Sequence, residues 1–562
     1  MKQITVIDYL IQRLHEIGIT DIFGVPGDYN LSFLDDVEAS PLVNWIGDCN
    51  ELNAAYAADG YARKRGVGAM ITTFDVGELS ALNGIAGSYA EHIPVIAITG
   101  APTTKVQENH RLMHHTDATG NFKHSLEAYK EFTETQVVLG FENAGFEIDR
   151  AIRTAIIKRR PVYISLPLDV AHSLINEPAE PLNLTVENTG HNQRVAKRLS
   201  DLLKKAKNPV ILAGNEITMF RVQDKFEKFI DQTEIPVATM LLGKSSINEE
   251  NPHFLGTYYP KYGDKKVRDY IDKSDLIVVF GGKLIDVNTG SFTQCFTQDQ
   301  TVVLNGDHSD FFGENSRGVN IDNLLTNLLK TDYKYDFEKS GLANVDHSVM
   351  YHDNDDAELN LDQYMYAFAN KFIREDDTIY VETGTSQYGL SFMNLKKGID
   401  FEAQPLWGSI GYTLPAVLGS QIADKEGRHI LSIGEGSSQM TIQELSLIQR
   451  HHLKPIIFLI DNDGYTIERV IHGAHAKYND VARWDYTKIP AALGISEDTM
   501  DINVADNKTD MLKIMDKVAD DRSKAHLIIL KTKAMDAPEL VKNIGDSMSQ
   551  IDKSHFYNYD PE

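Results

Sequence analysis

From one end of the chain to the other, short apolar runs rich in β-branched residues alternate with longer segments whose apolar positions recur at helical spacing. No other feature restricts the fold as strongly. A short apolar run bounded by turn residues suits a strand covered on both faces, and strands alternating with helices assemble into parallel sheets. The first third supplies IPVIAITG (93–100) and RPVYISLPLDV (160–170), with a helix expected between them over NAGFEIDRAIRTAIIKRR. The middle supplies NPVILAGNE (208–216), IPVATM (235–240), SDLIVVFGG (274–282) and TVVLNGD (301–307). The last third supplies DTIYVETG (377–384), RHILSIGEG (428–436), KPIIFLIDNDG (454–464) and AHLIILKTK (525–533). Two polar stretches without a sustained period, 176–193 and 339–360, divide these groups. The expectation is an α/β chain of three doubly wound, mainly parallel-sheet domains, 1–178, 190–340 and 358–562.

With 562 residues the chain is too long for a single core. Acidic residues outnumber basic ones 81 to 55, which argues against the clustered basic face that nucleic acid or an anionic lipid surface would need. The two cysteines, Cys49 and Cys295, lie far apart, so neither a disulfide framework nor a thiolate zinc site is expected. Charges interrupt the apolar positions of MKQITVIDYLIQRLHEIG, which therefore lacks the core of a signal peptide, and no apolar run reaches the length of a membrane span. A cytoplasmic protein with no membrane and no nucleic-acid partner is expected.

RHILSIGEGSSQMTIQELSLIQR reads as a strand, a tight glycine turn and a helix that opens with serines. Such a turn leaves backbone N–H groups and the helix dipole free to hold phosphate. Alone it is an ordinary loop between strand and helix. The next strand, however, ends in DNDGYTIER, with Asn462 placed 27 residues beyond Glu435. That distance accommodates one helix and one return strand, so both segments fall at the carboxyl ends of strands, where α/β sheets bind ligands. A carboxylate, an amide oxygen and a backbone carbonyl are hard ligands suited to Mg2+ beside a diphosphate.

The GEG and NDG segments resemble the cofactor motif of the thiamine-diphosphate-dependent 2-oxo acid decarboxylases, the family of pyruvate, indolepyruvate and branched-chain 2-oxo acid decarboxylases. The resemblance covers essentially the whole chain: FGVPGDYNLSFLDD, NELNAAYAADGYAR, GELSALNGIAGSYAE, MHHT, ETGTS, PLWGSIGYT and NDGYTIER follow in the family's order. It implies that Glu435, Asn462 and the carbonyl of Gly464 bind Mg2+, while Gly434, Gly436 and Ser437 hold the diphosphate. It implies that Glu51 faces N1′ of the aminopyrimidine, that Ile410 supports the bent cofactor, and that the Gly408 carbonyl accepts from the 4′-amino group. Pro26, Thr383, Thr385, Ser409, Tyr465, Thr466 and Ile467 complete the expected contacts. Asp28, His114, His115 and Glu468 match the family's acid/base set, with no proton step apportioned among them. The implied reaction is non-oxidative decarboxylation of a 2-oxo acid to an aldehyde and CO2 through a ylide and enamine of the cofactor. The resemblance also implies a homo-oligomer, a dimer at least and a tetramer by family habit, because Glu51 would approach a cofactor held by a neighbour's Glu435.

The expected substrate pocket comprises Gln387, Tyr388, Ile467 and the C-terminal helix around Ile544. The wording favours branched-chain or aromatic 2-oxo acids and leaves pyruvate open. Two alternatives stand beside this reading: a carboligase of the acetolactate-synthase type, and a catalytically weak cofactor-binding protein. SDLIVVFGGKL lacks a full G-x-G-x-x-G fingerprint and is read as structural. Two residues depart from the family pattern: Asp75 stands where relatives carry glycine, and Glu435 where they carry aspartate.

Overall fold

The computed structural model describes residues 2–342 and 351–556. Three mainly parallel sheets with flanking helices make an α/β chain. In the first, the strands run in the order Asn44–Gly47, Asp21–Gly24, Gly68–Thr73, Val95–Ala101, Val162–Pro167, Gln136–Val138, all parallel. In the last, the order is Asp400–Glu402, Thr378–Val381, His429–Gly434, Ile456–Asp461, Ala525–Lys531, Met500–Ala505, again all parallel. Numbered along the chain within each sheet, both read 2-1-3-4-6-5. In such an order the winding reverses beside the first strand, and a crevice opens there at the carboxyl ends. Residues 26–28 leave the strand Asp21–Gly24 on one side of the first crevice, and residues 383–385 and 435–437 leave the strands Thr378–Val381 and His429–Gly434 on either side of the last.

Edge strands such as Asp400–Glu402 (DFE) and Met500–Ala505 (MDINVA) need no apolar run, whereas the central strands form on one. Leu276–Phe280, for example, is buried along its whole length at the centre of the middle sheet. That sheet runs Phe254–Thr257, Val237–Thr239, Pro209–Ala213, Leu276–Phe280, Thr301–Leu304, then His308–Phe311 and Glu314–Arg317. Its last two strands are an antiparallel hairpin that the apolar-run criterion passes over, because they are largely polar and half exposed. The first polar stretch is partly ordered: its start pairs, as Leu174–Asn176, with Gln3–Thr5, and its end begins the helix Gly190–Leu203. Residues 343–350 of the second stretch lie outside the described residues.

The first and last domains meet along two helices, Glu51–Arg65 and Thr413–Ala423. Both are alanine- and glycine-rich, and their backbones touch. A Cβ on Gly60 would lie 2.0 Å from the carbonyl oxygen of Ala416, and one on Gly419 would lie 2.0 Å from that of Ala57. No other residue type fits either position without moving a helix. Glu51, at the first turn of one helix, is thereby set relative to the segment that leads into the other.

Candidate active site

A cavity of about 440 Å3 lies at the carboxyl edge of the last sheet. Its floor comes from the two strands that flank the winding reversal. Strand Thr378–Val381 delivers Thr383 and Thr385, and strand His429–Gly434 delivers Gly434, Glu435, Gly436 and Ser437 at the start of the helix Glu435–Thr441. Strand Ile456–Asp461 delivers Asn462, Gly464, Tyr465, Thr466, Ile467 and Glu468, while Gly408 and Ile410 close one side.

Glu435 is buried, and its Oε1 accepts from the backbone N–H of Gly464 at 2.5 Å and of Asn462 at 3.3 Å. Burial pushes its carboxyl up to about 7 despite those donors. The Asn462 amide faces the Gly464 carbonyl oxygen at 3.0 Å and the two Glu435 oxygens at 3.1 and 3.2 Å. With its nitrogen toward them it donates to acceptors. With its oxygen toward them, oxygens alone converge on one point, which is the donor set of a hard cation. The residues present fit Mg2+. A helix start with exposed backbone N–H groups, a glycine turn and two threonines likewise fits a diphosphate.

A second constellation lies at the corresponding edge of the first sheet. His114 Nε2 is 2.5 Å from Asp28 Oδ2, and His115 Nδ1 is 3.5 Å from Asp28 Oδ1. Tyr29 stacks on the His114 ring at 5.2 Å and meets His115 edge-on. Pro26 and Asp28 are exposed on the loop between strand Asp21–Gly24 and helix Leu31–Ala39. Glu51 opens its helix behind the Asn50 cap, whose side chain accepts from Asn53 N at 2.9 Å. None of Pro26, Asp28, Glu51, His114 and His115 lines the cavity of the last sheet. The chain thus carries two half-constellations, each at its own sheet edge.

Three side chains are placed differently from the sequence reading. Gln387 is buried on the far side of the helix Thr385–Leu390, its Nε2 donating to Ser391 Oγ at 3.2 Å, and it lines a different, interior space. Tyr388, the next residue of that helix, lines the cavity where Gln387 does not. Ile544 is fully buried against Leu540, Val541 and Tyr388, and Met548, one turn further along the helix Glu539–Phe556, reaches the cavity instead. Ser409 turns its hydroxyl to Tyr56 OH at 2.5 Å and Asn83 Nδ2 at 3.0 Å, tying its turn to the first domain.

Asp75 caps the helix Val76–Ala90 with φ 47°, a left-handed backbone value that glycine adopts without cost. Its carboxylate accepts from Ser125 Oγ, and its own N–H donates to Glu78 Oε1 at 2.7 Å. Burial pushes both acids up, Glu78 to about 7.

Three further acids escaped the sequence reading. Glu382, at the end of the first strand, accepts from Thr383 N at 3.1 Å and Thr413 Oγ1 at 2.6 Å, and burial pushes it up to about 7. Asp48 and Glu444 form a buried pair beneath the start of the Glu51 helix. Asp48 Oδ2 accepts from Gly24 N at 2.9 Å, and Glu444 Oε2 accepts from Asn53 Nδ2 at 2.5 Å and Cys49 N at 3.3 Å. Their remaining oxygens, Asp48 Oδ1 and Glu444 Oε1, are sealed from solvent and have no hydrogen-bond partner. Burial, then mutual repulsion, raises Asp48 well above the usual carboxylate range.

Comparison with known proteins identifies the family. Three thiamine pyrophosphate enzyme models match in succession: the N-terminal TPP binding domain at residues 4–121, the central domain at 196–321 and the C-terminal TPP binding domain at 382–529. The chain is 39% identical to a pyruvate decarboxylase of Kluyveromyces marxianus over 559 residues, 96% of this chain and 98% of that one. It belongs to the thiamine-diphosphate-dependent 2-oxo acid decarboxylase family. Two further members of that family are the pyruvate decarboxylase isozyme 2 of Saccharomyces cerevisiae, 38% identical over 96% of this chain and 98% of its own, and an alpha-keto-acid decarboxylase of Mycobacterium leprae, 38% identical over 88% and 87%. Among the described residues no helix is long and apolar enough to cross a membrane.

Proposed function

We propose that this chain converts a 2-oxo acid to an aldehyde and CO2, using thiamine diphosphate and Mg2+, in active sites that each combine two copies of the chain. The observation that carries this reading is the division of the expected site. Metal and diphosphate ligands line one cavity, whereas Glu51 and the Asp28–His114–His115 cluster stand at another sheet edge and do not line it.

Glu435, Asn462 and the Gly464 carbonyl would hold Mg2+, and Gly436, Ser437, Thr383 and Thr385 the diphosphate. When bound, the cofactor supplies the nucleophilic carbon and the electron sink that CO2 loss requires. Glu51 from a second copy holds a proton at N1′, and the Gly408 carbonyl orients the 4′-amino group. Ile410 gives the ring system an apolar support. Glu468 approaches from the cavity's own chain, and Asp28, His114 and His115 from the second copy. These groups protonate the substrate oxygen and the product carbon as positioned acids and bases.

The wall left for the substrate side chain is Tyr388, Ile467, Ile471 and Met548. A flexible methionine beside apolar branched residues adapts to bulky groups, which favours branched-chain or aromatic 2-oxo acids while admitting pyruvate.

Two measurements test the reading. Release of CO2 and aldehyde from a panel of 2-oxo acids separates decarboxylation from ligation, which would return a hydroxy ketone or hydroxy oxo acid instead. Mixing Glu51→Gln and Glu468→Gln variants, each inactive alone, should restore about a quarter of wild-type activity after subunit exchange, since random pairing gives half mixed dimers with one intact site each. No recovery despite proven exchange would place both residues in one chain's site.

A further inference from the structure

The far end of the Glu51–Arg65 helix opens on a second cavity of about 440 Å3, bounded by all three domains. Arg63, Lys64 and Arg159 face it from the first domain, Arg221 and Asp224 from the middle, and Asp400 and Glu402 from the last. Most of these charges are matched. Arg63 Nη1 lies 2.9 Å from Glu402 Oε2, and Lys64 Nζ lies 2.9 Å from Asp400 Oδ2. Asp224 is exposed. Arg159 and Arg221, by contrast, have no carboxylate partner among the described residues.

Arg159 is only 9% exposed. Its Nε donates to the Met219 carbonyl at 2.7 Å and its Nη1 to that of Gly66 at 2.6 Å. Arg221 Nη1 reaches the Lys64 carbonyl at 3.3 Å. These carbonyls accept hydrogen bonds but cancel no charge, and each guanidinium carries five donors. Burial, reinforced by the like charge of Arg221, pulls Arg159 below the usual arginine range. A buried cation without a counter-charge is costly. The chain has 81 acidic residues to draw on, yet supplies neither arginine with one.

We propose that this three-domain cavity binds a small phosphate-type oxyanion, inorganic phosphate or a phosphomonoester, through the forked donors of Arg159 and Arg221. Guanidinium groups match such oxygens in pairs, and two neighbouring guanidiniums on one cavity suit a dianion. The site is separate from the cofactor cavity, with which it shares no lining residue.

The test uses holoenzyme saturated with thiamine diphosphate and Mg2+, so that the other oxyanion cradle is filled. Melting temperature is followed against sodium phosphate, and separately against glycerol phosphate, with ionic strength held constant by sodium chloride. A saturable rise beyond the chloride control is expected. Its midpoint should move at least about tenfold in Arg159→Gln and in Arg221→Gln, which remove charge-assisted donors, and stay put in Arg153→Gln, an exposed arginine on the same helix as Arg159's approach. If Arg159→Gln does not fold, the exposed Arg221→Gln carries the comparison. A lower midpoint for glycerol phosphate identifies a phosphomonoester as occupant, and binding of phosphate alone identifies the inorganic ion. Chloride matching phosphate, or both arginine variants titrating like wild type, overturns the proposal.

Discussion

Replacing Asp48 by asparagine should make the protein more resistant to alkaline pH. Asp48 Oδ1 and Glu444 Oε1 are buried without a hydrogen-bond partner, and the two carboxyl groups interact. Two interacting carboxylates, both ionised, would repel in a medium that screens poorly, so the pair keeps one proton. The folded-state pKa of Asp48 is raised above its unfolded value. Its contribution is therefore fully present below the unfolded carboxylate range and is lost as pH climbs through the raised value. Within that window each pH unit costs about 1.4 kcal/mol. An asparagine would keep both bonds, accepting from Gly24 N and donating to Glu444, without needing a proton. At roughly 2–4 °C per kcal/mol for a domain of this size, the melting temperatures of Asp48→Asn and wild type should diverge by about 3–6 °C per pH unit, the variant gaining as pH rises. Melting curves at several pH values from the usual carboxylate range upward, in one mixed buffer, would measure it. Parallel curves, or a wild type that gains on the variant as pH rises, would refute the shared proton.

Glu51→Gln should nearly abolish decarboxylation and slow C2–H/D exchange of bound cofactor, read by NMR; unchanged exchange would remove Glu51 from that role. Met548→Ala should change the kcat/KM ratio between aromatic and branched-chain oxo acids about tenfold, whereas Gln387→Ala should leave it unmoved, because its side chain lies behind the cavity wall. A ratio that follows Gln387 instead would mean the helix Thr385–Leu390 is rotated in the working enzyme. Glu435→Asp shortens the arm by one methylene and should tighten thiamine diphosphate binding at fixed Mg2+, since that ion demands near-ideal geometry. Weaker binding, measured by titrating apo-protein, would show that the loop around Gly464 is built for glutamate.

The strands that were legible, such as Val95–Ala101 and Leu276–Phe280, are covered on both faces and so leave continuous apolar runs, whereas Asp21–Gly24, Gly68–Thr73 and Met500–Ala505 were passed over. His308–Phe311 and Glu314–Arg317 were passed over too, since a half-exposed edge hairpin needs no such run. Motif residues such as Glu435, Asn462 and Glu468 come together because strand order converts sequence spacing into adjacency at one sheet edge. Which side of a helix a residue takes is a finer matter, and Gln387 and Ile544 show the limit: both sit in the right element and face the wrong way. The Asp48–Glu444 pair had no local signature at all. Its members are nearly four hundred residues apart, and only the packing of the first domain on the last brings them together.

The backbone contact between Gly60 and Ala416 has a consequence for mixed populations of chains. Glu51 lies nine residues from Gly60, about 13 Å along the helix axis. A methyl group at the crossing that tilts the helix by some 5° would swing Glu51 by about 1 Å, a displacement that catalysis tolerates poorly. Under the proposed two-copy site, that misplaced carboxylate belongs to the neighbour's reaction. A Gly60→Ala chain with a sound cavity of its own would therefore silence its partner while itself being served by the partner's Glu51, and the lesion would be felt by the healthy copy.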